Sequence, residues 1–593
     1  MDNIKNFKRT TMCGEITKDF IGKEVIVMGW VAKERNLGHI IFMDIRDRAG
    51  IVQVVVNDED CKDYFDKAKT VRTEFVVAAK GIVRERESKN PNIPTGDIEI
   101  LCREFRILDS AQTPPIYIKS DDNVSEEMRL KYRFLDLRKD SIQKNLIKRA
   151  KVVSLMREYL NDEGFIEVET PYLGKPTPEG ARDYLIPSRV NPNKFYALPQ
   201  SPQLMKQLLM VAGMDRYYQL ARCFRDEDLR ANRQPEFTQM DIEMSFVDED
   251  DVMTINENMV KKLFKELKGV DIELPLKRLT YDEAMERFGS DKPDLRFGFE
   301  LKNISDIVKD SEFKVFSNNV SEGHSVRGIN IGKYQAEYSR KKIDALGEFV
   351  KNYKAKGLAW IKVSEGEVNS PIAKFLSENE LDKILKKFEV TDNGLILIVA
   401  DKDEVVYDSL GALRRHIASE LGLLNPKEFK MLWVVDFPMF EYSEEEGRMV
   451  SKHHPFTMPK EEDLDLLETE PEKMKSKAYD LVINGEEAAG GSIRINNSSI
   501  QERIFKALKL TEEEIEAKFG FFVDALKYGT PPHGGIAYGI DRLVMQICET
   551  DNIKDVIAFP KTQSATDLLT GAPANVDKEQ LEEIHIDLLK HEE

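Results

Sequence analysis

The sequence predicts a multidomain α+β protein that begins with a small β-barrel. A chain of 593 residues is too long for one hydrophobic core, and its first hundred residues alternate between apolar and polar side chains as β-strands do. Later segments mix strand patterns with helical periodicity. The composition, 41% hydrophobic and 33% charged, is typical of a folded globular protein and excludes a disordered one.

Five β-strands are predicted within residues 1–112. They read EVIVMGWVAKE, HIIFMDIRD, GIVQVVVN, EFVVAAKGIVRER and GDIEILCREFRIL, with turns expected at Gly38, Gly50, Gly81 and Gly96. A helical stretch, DEDCKDYFDKAKTVR, follows the third strand. This order is that of an OB-fold barrel, whose exposed strand face binds single-stranded nucleic acid. The alternative is a barrel that only packs against its neighbour.

The barrel is followed by a change of pattern. The adjacent prolines 114 and 115 forbid a helix and predict a hinge over 113–140. An amphipathic helix is predicted from Ser141 to a C-cap at Gly164, and FIEVETP then predicts a strand that ends at Pro171. Residues 295–430 mix α and β patterns without a catalytic constellation, and we expect His324 there to be structural or solvated.

Charge and cysteine usage restrict the function classes. The formal net charge of −19 argues against nonspecific nucleic-acid binding, but residues 1–112 carry equal numbers of acidic and basic side chains, so a local RNA-binding face remains open. The five cysteines form neither a CxxC pair nor a cluster with zinc spacing, which predicts reduced thiols. No segment has the apolar length of a signal peptide or membrane span, so we expect a cytoplasmic protein.

Two arginines 317 positions apart carry the first functional hypothesis. Arg225 lies in FRDEDLRANRQPEFTQMDIE and Arg542 in GGIAYGIDRL. Guanidinium groups are planar, permanently charged donors that suit phosphate, and the neighbouring carboxylates suit a divalent metal ion. The glycine string lacks the GxGxxG spacing but would let the backbone approach a ligand closely. Together the segments predict the two halves of one nucleotide site.

These segments, in this order and preceded by the helix, strand and proline around 141–171, resemble the three motifs of the class II aminoacyl-tRNA synthetases, and specifically their bacterial-type aspartyl branch. The resemblance extends to about residue 577. It implies the ATP-dependent attachment of L-aspartate to tRNA(Asp) through aspartyl-adenylate, with transfer to the 3′-terminal adenosine. It also implies Mg²⁺ as cofactor and a homodimer.

The resemblance implies a division of the chain into six segments. They are an OB-fold anticodon-binding domain over 1–112, a hinge over 113–140, an antiparallel-sheet catalytic domain over 141–294 and 431–570, an α/β insertion domain over 295–430 that interrupts it, and a C-terminal extension over 571–593.

Individual roles at the nucleotide end follow from the same resemblance. The implied ATP-binding residues are Arg225, Asp226, Glu227, Gln234, Phe237, Glu487, Gly539, Ile540, Asp541 and Arg542. Arg225 and Arg542 are the implied catalytic residues, with Arg225 on the α-phosphate and Arg542 on the γ-phosphate. Asp480 and Glu487 would hold Mg²⁺, with Glu486 as an alternative to Glu487.

A pocket for an anionic amino acid requires cationic partners, and Lys206 and Arg494 can supply them. The full implied aspartate-binding set is Glu179, Ser201, Gln203, Lys206, Arg225, Asp241, His453 and Arg494. Asp241 would accept from the α-ammonium group, and His454 is an alternative to His453. Such a pocket would reject asparagine because a neutral amide leaves buried cations unpaired.

For the anticodon, the resemblance implies Arg35, Phe42, Gln53 and Glu99, with Phe42 either stacking on a base or belonging to the core. Whether tRNA(Asn) is also charged depends on contacts around Leu37.

Three other functions fit parts of the sequence: an asparaginyl enzyme, an ATP-dependent ligase for a small molecule or protein side chain, and a noncatalytic RNA-binding relative. The barrel argues against the ligase, and the retained arginines and acidic pair argue against the noncatalytic relative. The insertion domain and the pair of cationic residues argue against the asparaginyl enzyme.

Overall fold

The computed structural model describes residues 1–119, 123–177, 181–227, 229, 232–444 and 446–589. These residues form two compact units. The first comprises Met1–Lys148 with Lys554–Asn575, and the second comprises Arg149–Ile553 with Val576–Glu593. Within the described residues, no helix has both the length and the apolar character needed to cross a membrane.

The first unit begins with the predicted five-stranded barrel. The barrel closes in the order β1-β2-β3-β5-β4, and helix α1 follows β3 as expected for an OB-fold. The bounds are β1 Glu24–Asn36, β2 Ile40–Asp47, β3 Gly50–Asn57, α1 Lys62–Ala68, β4 Val76–Glu85 and β5 Ile98–Asp109. The turn predicted at Gly81 is wrong, because Gly81 lies inside β4. A Cβ there would stand 2.2 Å from the carbonyl oxygen of Leu101 on β5, so only glycine fits this close pairing.

The predicted hinge contains two short helices, α2 Glu126–Lys131 and α3 Arg133–Asp136. Arg133 is 2% exposed and connects the beginning of the unit to its distant end. Its Nη2 donates to the carbonyl oxygens of Lys554 at 2.5 Å and Ile557 at 2.8 Å, while its Nη1 donates to the carboxylate of Asp136 at 2.5 Å. One buried guanidinium thereby fastens the segment from Lys554 onward to α3.

Helix α4, Asp140–Asp162, is the long helix predicted from Ser141, and Gly164 follows it with a left-handed φ of 80°. The next elements of the second unit are β6 Ile166–Glu167, β7 Leu185–Pro187, β8 Phe195–Ala197, α5 Gln203–Val211, β9 Arg216–Phe224, β10 Glu236–Ser245, α6 Glu249–Lys268, β11 Lys277–Thr280 and α7 Tyr281–Phe288. The strand predicted from FIEVETP is therefore only two residues long.

Between α7 and the last part of the chain stands a separate antiparallel sheet of order β12-β13-β16-β14-β15. Its elements are β12 Lys302–Asn303, α8 Ser305–Val308, α9 Lys314–Ser321, β13 Ser325–Asn330, α10 Arg340–Lys351, β14 Ala359–Ser364, β15 Glu367–Asn369, α11 Glu378–Lys387, β16 Gly394–Asp401 and α12 Asp403–Glu420. Successive residues of β16 belong to two different apolar clusters, one shared with α10 and α12 and the other with α8, α9 and α11. Helices therefore cover both faces, which explains why every residue of β16 is buried.

The chain then returns to the main sheet. The remaining elements are β17 Met431–Val435, β18 Phe440–Ser443, β19 Arg448–Ser451, β20 Ala478–Ile483, β21 Glu486–Ile493, α13 Ser498–Ala507, α14 Glu512–Ala525, β22 His533–Gly539, α15 Ile540–Cys548 and α16 Lys578–Glu583. The main sheet has eight strands in the order β11-β17-β20-β21-β22-β10-β9-β6. Only its two outermost pairs, β11 with β17 and β6 with β9, are parallel. The predicted antiparallel sheet is thus confirmed.

Strand β10 has two chemically different faces. Met240, Ile242 and Met244 are fully buried on one of them. The alternate positions place Asp241 and Glu243, with Phe237 and Gln239 before them, on the opposite face, because strand side chains alternate with a period of two. This strand therefore presents an unbroken row of ligand-type side chains from a rigid apolar support.

Candidate functional site

A cavity of about 210 Å³ opens on the main sheet. It is lined by Arg225, Glu227, Leu229, Asn232, Arg233, Gln234, Phe237, Gln239, Glu487, Ala488, Ala537, Gly539, Asp541, Arg542 and Ile553. Arg225 and Arg542 therefore meet in one space, as the sequence predicts. Eight of the ten predicted ATP-binding residues line it. Asp226 is exposed outside the lining, and Ile540 is fully buried in the core.

Arg225 immediately follows β9 and lies over the neighbouring strand. Its guanidinium carbon stands 5.1 Å from the centre of the Phe237 ring, a cation–π contact that fixes its plane. The Nε of Arg225 is buried and has no hydrogen-bond partner among the residues that the structure describes. Phe237 cannot satisfy this donor, so the geometry leaves it free for a ligand.

Arg542 lies in the first turn of α15, directly after Gly539 at the end of β22. Its Nη1 is 3.9 Å from Oε2 of Glu487, so the two groups share one end of the cavity. The neighbouring Asp541 has a different environment. Its Oδ1 accepts from Arg149 at 2.5 Å and its Oδ2 accepts from the backbone N–H of Thr238 at 3.0 Å, which ties α15 to the sheet.

A β-bulge decides which glutamate of the pair Glu486–Glu487 faces the cavity. Asp480 of β20 pairs with Gly490 of β21, but the register shifts between Leu481 and Val482, so that Val482 pairs with Glu487. The extra residue places the Glu487 side chain on the same face as that of Asp480. Glu486 is directed instead to Arg415, at 2.8 Å.

Asp480 and Glu487 form an acidic pair suited to a cation. A Cβ on Gly490 would lie 2.7 Å from Oδ1 of Asp480 and 3.3 Å from Oε1 of Glu487, so both carboxylates converge on the space that glycine leaves open. Burial, with Glu487 and Asp291 nearby, raises the pKa of Asp480 well above its usual range. Its Oδ1 lacks a hydrogen-bond partner. No set of three or more His, Cys, Asp or Glu side chains suited to metal occurs within the described ranges, so a cation here would need further oxygen ligands.

Four buried charges form a second cluster farther along β10. Lys206, in the first turns of α5, donates to Asp241 at 2.8 Å and lies 3.1 Å from Glu243. Arg494 makes a two-pronged contact with Glu243, at 3.0 Å from Nε and 3.1 Å from Nη2. All four residues are at most 2% exposed. The predicted cationic pair is therefore brought together, and Glu243, which the sequence analysis missed, bridges it.

The two carboxylates of this cluster differ in basicity. Burial alone would raise the pKa of Glu243. The positive charges of Arg494 and Lys206 outweigh this effect and lower the pKa of Glu243 to about 2. Burial raises the pKa of Asp241 despite its contact with Lys206. Only Oδ1 of Asp241 is occupied, since Oδ2 is buried without a hydrogen bond. Asp241 thus retains an acceptor for a cationic group, as predicted.

Two adjacent histidines border the cluster. Nη1 of Arg494 lies 2.7 Å from Nε2 of His454, and burial lowers the pKa of this histidine well below its usual range. His453 packs edge-on against Phe437 with its Nε2 buried and unpartnered. Burial lowers the pKa of His453 to about 4. His454 is thus the one that touches Arg494, whereas His453 was the first choice from sequence.

Two further predicted aspartate-binding residues, Ser201 and Gln203, lie at the beginning of α5. Gln203 begins this helix, and its Nε2 is buried without a partner. The hydroxyl of Ser201 accepts from the backbone N–H of Gln203 at 3.3 Å and caps the turn. Glu179 lies outside the described residues.

Five buried polar atoms without hydrogen bonds thus occur at predicted site residues. They are Nε of Arg225, Nε2 of Gln203, Oδ2 of Asp241, Nε2 of His453 and Oδ1 of Asp480. Buried polar groups in folded proteins almost always have partners, so such a concentration indicates a place built for a polar ligand. The ligand must offer acceptors to Arg225 and Gln203 and a donor to Asp241.

In the barrel, the four predicted anticodon residues form one network. The guanidinium of Arg35 lies 5.4 Å from the ring centre of Phe42, and its Nη2 is 3.5 Å from Oε1 of Gln53. Gln53 donates to Glu99 at 2.8 Å. The burial of β2 alternates, with Ile41 inside the barrel and Phe42 only partly buried on the outer face. Phe42 is therefore not part of the barrel core.

Two arginines that the sequence analysis missed complete this outer face. Arg84 donates to Glu99 at 2.8 Å, and Arg86 donates to Gln53 at 2.9 Å. Arg86 is 9% exposed, yet its Nε and Nη1 have no hydrogen-bond partner in the part of the chain that the structure describes. Arg84 lies near the end of β4 and Arg86 directly after it, two positions apart, so the period of two in a strand is the signal that could have identified them.

The sequence also contains a signal for the main-sheet residues that the sequence analysis did not select. Glu243 follows Asp241 by two positions on β10, and Gln239 precedes it by two, so strict alternation would have placed all three on one face. Arg233 lines the cavity and pairs with Glu227 at 2.9 Å. It could have been selected from RQPEF as the third arginine near the nucleotide motif.

The histidine environment predicts a specific dependence of stability on pH. The folded pKa of His453, about 4, lies below the usual 6.5, so the unfolded chain binds one more proton between these values. The free energy of unfolding contributed by neutral His453 is therefore present above pH 6.5 and lost as the pH falls towards 4. In urea unfolding followed by circular dichroism, His453→Gln should flatten this pH slope by up to about 1.4 kcal/mol per pH unit. The exposed His39→Gln is the control, and an unchanged slope in His453→Gln would contradict the assignment.

Comparison with known proteins agrees with this geometry. The family described as tRNA synthetases class II (D, K and N) matches residues 125–563, and the OB-fold nucleic acid binding domain matches residues 25–108. The chain is 58% identical over 587 residues to an aspartate–tRNA(Asp/Asn) ligase of Caldanaerobacter subterraneus subsp. tengcongensis, covering 99% of both chains. It is 57% identical over 592 residues to an aspartate–tRNA ligase of Ruminiclostridium cellulolyticum, covering 99% of this chain and 100% of that one.

Among solved structures, the asparaginyl-tRNA synthetase of Pyrococcus horikoshii complexed with asparaginyl-adenylate has the same fold. The TM-score is 0.59 at 20% identity, and the match covers 94% of this chain and 98% of that one. The family match spans about three quarters of the chain and includes Arg225, Arg542 and the buried charge cluster. The chain therefore belongs to the class II tRNA synthetases of the D, K and N group.

Proposed function

We propose that this chain attaches L-aspartate to tRNA(Asp), first forming aspartyl-adenylate from aspartate and ATP and then transferring the aspartyl group to the 3′-terminal adenosine. The observation that carries the proposal is the row of side chains on β10. Phe237 and Gln239 line the arginine-bearing cavity, while Asp241 and Glu243 belong to the buried charge cluster. At about 3.3 Å per residue, these neighbouring sites lie close enough for one adenylate to span them.

Adenylate formation needs the aspartate carboxylate to attack the α-phosphorus of ATP while pyrophosphate leaves. Neither reactant requires a protein nucleophile, so positioning and charge neutralisation can supply the catalysis. Arg225, with a free Nε beside the cavity, is placed to bridge the attacking carboxylate and the α-phosphate. Its stacking on Phe237 limits the rotation of the guanidinium, and the other face of Phe237 is then the platform for adenine.

The acidic pair and the second arginine serve the phosphate tail. Arg542 is the proposed γ-phosphate residue. Asp480 and Glu487 would hold Mg²⁺, because two carboxylates with space for phosphate and water oxygens suit this cation. When bound, Mg²⁺ would neutralise charge on the phosphate oxygens. Within the protein, the charge of Glu487 is partly balanced by two cations. Nζ of Lys292 lies 3.6 Å and Nη1 of Arg542 lies 3.9 Å from its Oε2.

Selection of aspartate follows from the charge cluster. Lys206 and Arg494 face the proposed position of the side-chain carboxylate, and Oδ2 of Asp241 would accept from the α-ammonium group. The neutral Nε2 of His454 can leave Arg494 when an anion arrives, because it is held by a single contact to that group. An asparagine amide would offer these donors only one acceptor and one competing donor, which leaves a buried cation unpaired.

The barrel is the proposed anticodon-binding domain over 1–112. Phe42 on the outer face offers a stacking surface, and the unpartnered nitrogens of Arg86 offer donors next to Gln53 and Glu99. Stacking and edge hydrogen bonds are how proteins read single-stranded RNA bases.

The boundaries of the other segments remain as predicted from the sequence, with the insertion domain at 295–430. Because tRNA charging serves translation, we place the enzyme in the cytoplasm.

We also propose a homodimer. The chain after α4 keeps several large apolar side chains in solvent, namely Ile166, Tyr172 and Leu173, each at least 45% exposed. Apolar residues concentrated in one short segment are typical of association surfaces. Sedimentation velocity should give twice the mass of the chain, and Ile166→Glu should lower the association constant. A monomeric mass at micromolar concentration would contradict the proposal.

Arg494→Ala tests the assignment of the amino-acid pocket. In aspartate-dependent ATP–pyrophosphate exchange, the KM for aspartate should rise by about 100-fold or more, since the lost contact is a buried, charge-assisted one worth several kcal/mol. The KM for ATP should change less than about threefold, because Arg494 lies outside the ATP cavity. The control is Arg503→Ala, which removes an exposed ion pair with Glu468. Exchange supported by asparagine but not aspartate in the wild type would reject the function itself.

Phe42→Ala tests the barrel. Aminoacylation should show a KM for tRNA(Asp) raised about tenfold, because one base–aromatic stack contributes about 1–3 kcal/mol, while pyrophosphate exchange without tRNA stays unchanged. Tyr117→Ala, also in the first unit and 75% exposed, is the control. Parallel assays with tRNA(Asp) and tRNA(Asn) determine whether both are charged, as the names of some relatives state for those proteins. Equal KM values in Phe42→Ala and wild type would remove Phe42 from the anticodon site.

A further inference from the structure

Two adjacent arginines of α12 in the separate five-stranded domain contact segments that surround the acidic pair. Arg415 donates from Nη1 to the carbonyl oxygen of Gly485 at 3.1 Å, and its Nη2 pairs with Glu486 at 2.8 Å. Arg414 is 2% exposed and donates to the carbonyl oxygens of Asp294 at 3.2 Å and Gly298 at 2.9 Å. These are contacts between the insertion region and the main-sheet region of the same unit.

The turn held by Arg415 joins the two strands that carry the acidic pair. Asn484 and Gly485 connect β20 to β21 with φ values of 52° and 80°, the conformation of a tight two-residue hairpin turn. Gly485 is closely packed, because a Cβ there would lie 2.9 Å from Cβ of Asp294 and 3.5 Å from Nη1 of Arg415. A shift of this turn would move Glu486, and with it the bulged Glu487.

The chain just before the segment held by Arg414 carries a cation that lies beside the same glutamate. Nζ of Lys292 lies 3.6 Å from Oε2 of Glu487. Helix α12 itself is fixed against this segment by a glycine contact, since a Cβ on Gly411 would stand 2.2 Å from the carbonyl oxygen of Gly289. Both the backbone before Glu487 and its cationic neighbour are therefore fastened to one helix.

We propose that Arg415 is a positioning residue for Glu487, through which the insertion domain supports the cation site. The inference rests on the proposed function and assigns the insertion domain a role in ATP binding. Arg415 does not reach the cavity. It fixes the Gly485 carbonyl and the Glu486 carboxylate, so that the bulge presents Glu487 to the ligand and not to solvent.

If the ion pair of Arg415 and Glu486 were only structural, its removal would change folding stability and leave cation binding unaffected. The side chains of Arg415 and Glu486 are 42% and 35% exposed, and a pair with this exposure contributes little to folding stability. Arg415→Met should therefore fold normally, and any effect on the cation site would come from geometry. Arg415→Lys keeps a charge near Glu486 but cannot make both contacts at once.

The experiment measures binding of Mn²⁺, as a probe for the divalent cation, to the full-length protein with saturating ATP by electron paramagnetic resonance. The dissociation constant should rise about tenfold in Arg415→Met, the lower end of the loss seen when a residue that orients a metal ligand is removed. Arg415→Lys and Glu486→Gln should have intermediate values. The double variant Arg415→Met with Glu486→Gln should bind Mn²⁺ no more weakly than Arg415→Met alone. The reason is that Glu486→Gln weakens a contact that Arg415→Met has already removed.

Arg340→Met removes a comparable exposed ion pair, with Asp344, from the same domain and is the matched control. The KM for aspartate should be unchanged in every variant because the charge cluster is not touched. Equal Mn²⁺ affinity in Arg415→Met and Arg340→Met would overturn the proposal, as would additive effects in the double variant. Failure of the proposed function is a separate result, namely wild-type protein that binds Mn²⁺ and ATP but shows no aspartate-dependent pyrophosphate exchange.

Discussion

The buried charge cluster depends on one fully buried carboxylate, that of Glu243. Glu243 contacts Arg494 through both of its oxygens and lies 3.1 Å from Lys206. Without it, two cations would face each other in an environment where desolvation already costs several kcal/mol per ion. Their attraction to Glu243 outweighs its desolvation, which is why its pKa is low although it is buried. The cationic pocket can therefore exist before any substrate arrives.

Strand β10 connects this cluster to the arginine-lined cavity. Its apolar face is fully buried, so the strand cannot rotate or slip by one residue without exposing Met240 and Ile242 and burying charges in their place. The hydrophobic effect thus determines the direction of every polar side chain on the other face. Arg225 and Arg542 enter from the ends of β9 and β22, the two neighbours of β10 in the sheet.

The two sites differ in how closely their charges are paired within the protein. In the charge cluster, protein carboxylates take up most of the cationic donors, and the unpaired atoms are few and neutral or acidic. At the acidic pair, Nζ of Lys292 and Nη1 of Arg542 stand 3.6 and 3.9 Å from Oε2 of Glu487, too far for hydrogen bonds, and burial raises the pKa of Asp480. Glu487 is therefore paired less closely with cations than the carboxylates of the charge cluster are.

The sequence by itself determined the five barrel strands, the helices around 141–162 and 540–548, and the residue types of both sites, because alternation, helical periodicity and charge are local properties. Only the tertiary structure decided which side chains meet. The bulge in β21 selects Glu487 over Glu486, Arg494 lies against His454, and Phe42 faces outward from the barrel. The first and last choices depend on strand register, because a one-residue shift reverses the face of every side chain, and the contact of Arg494 depends on a partner 40 positions away.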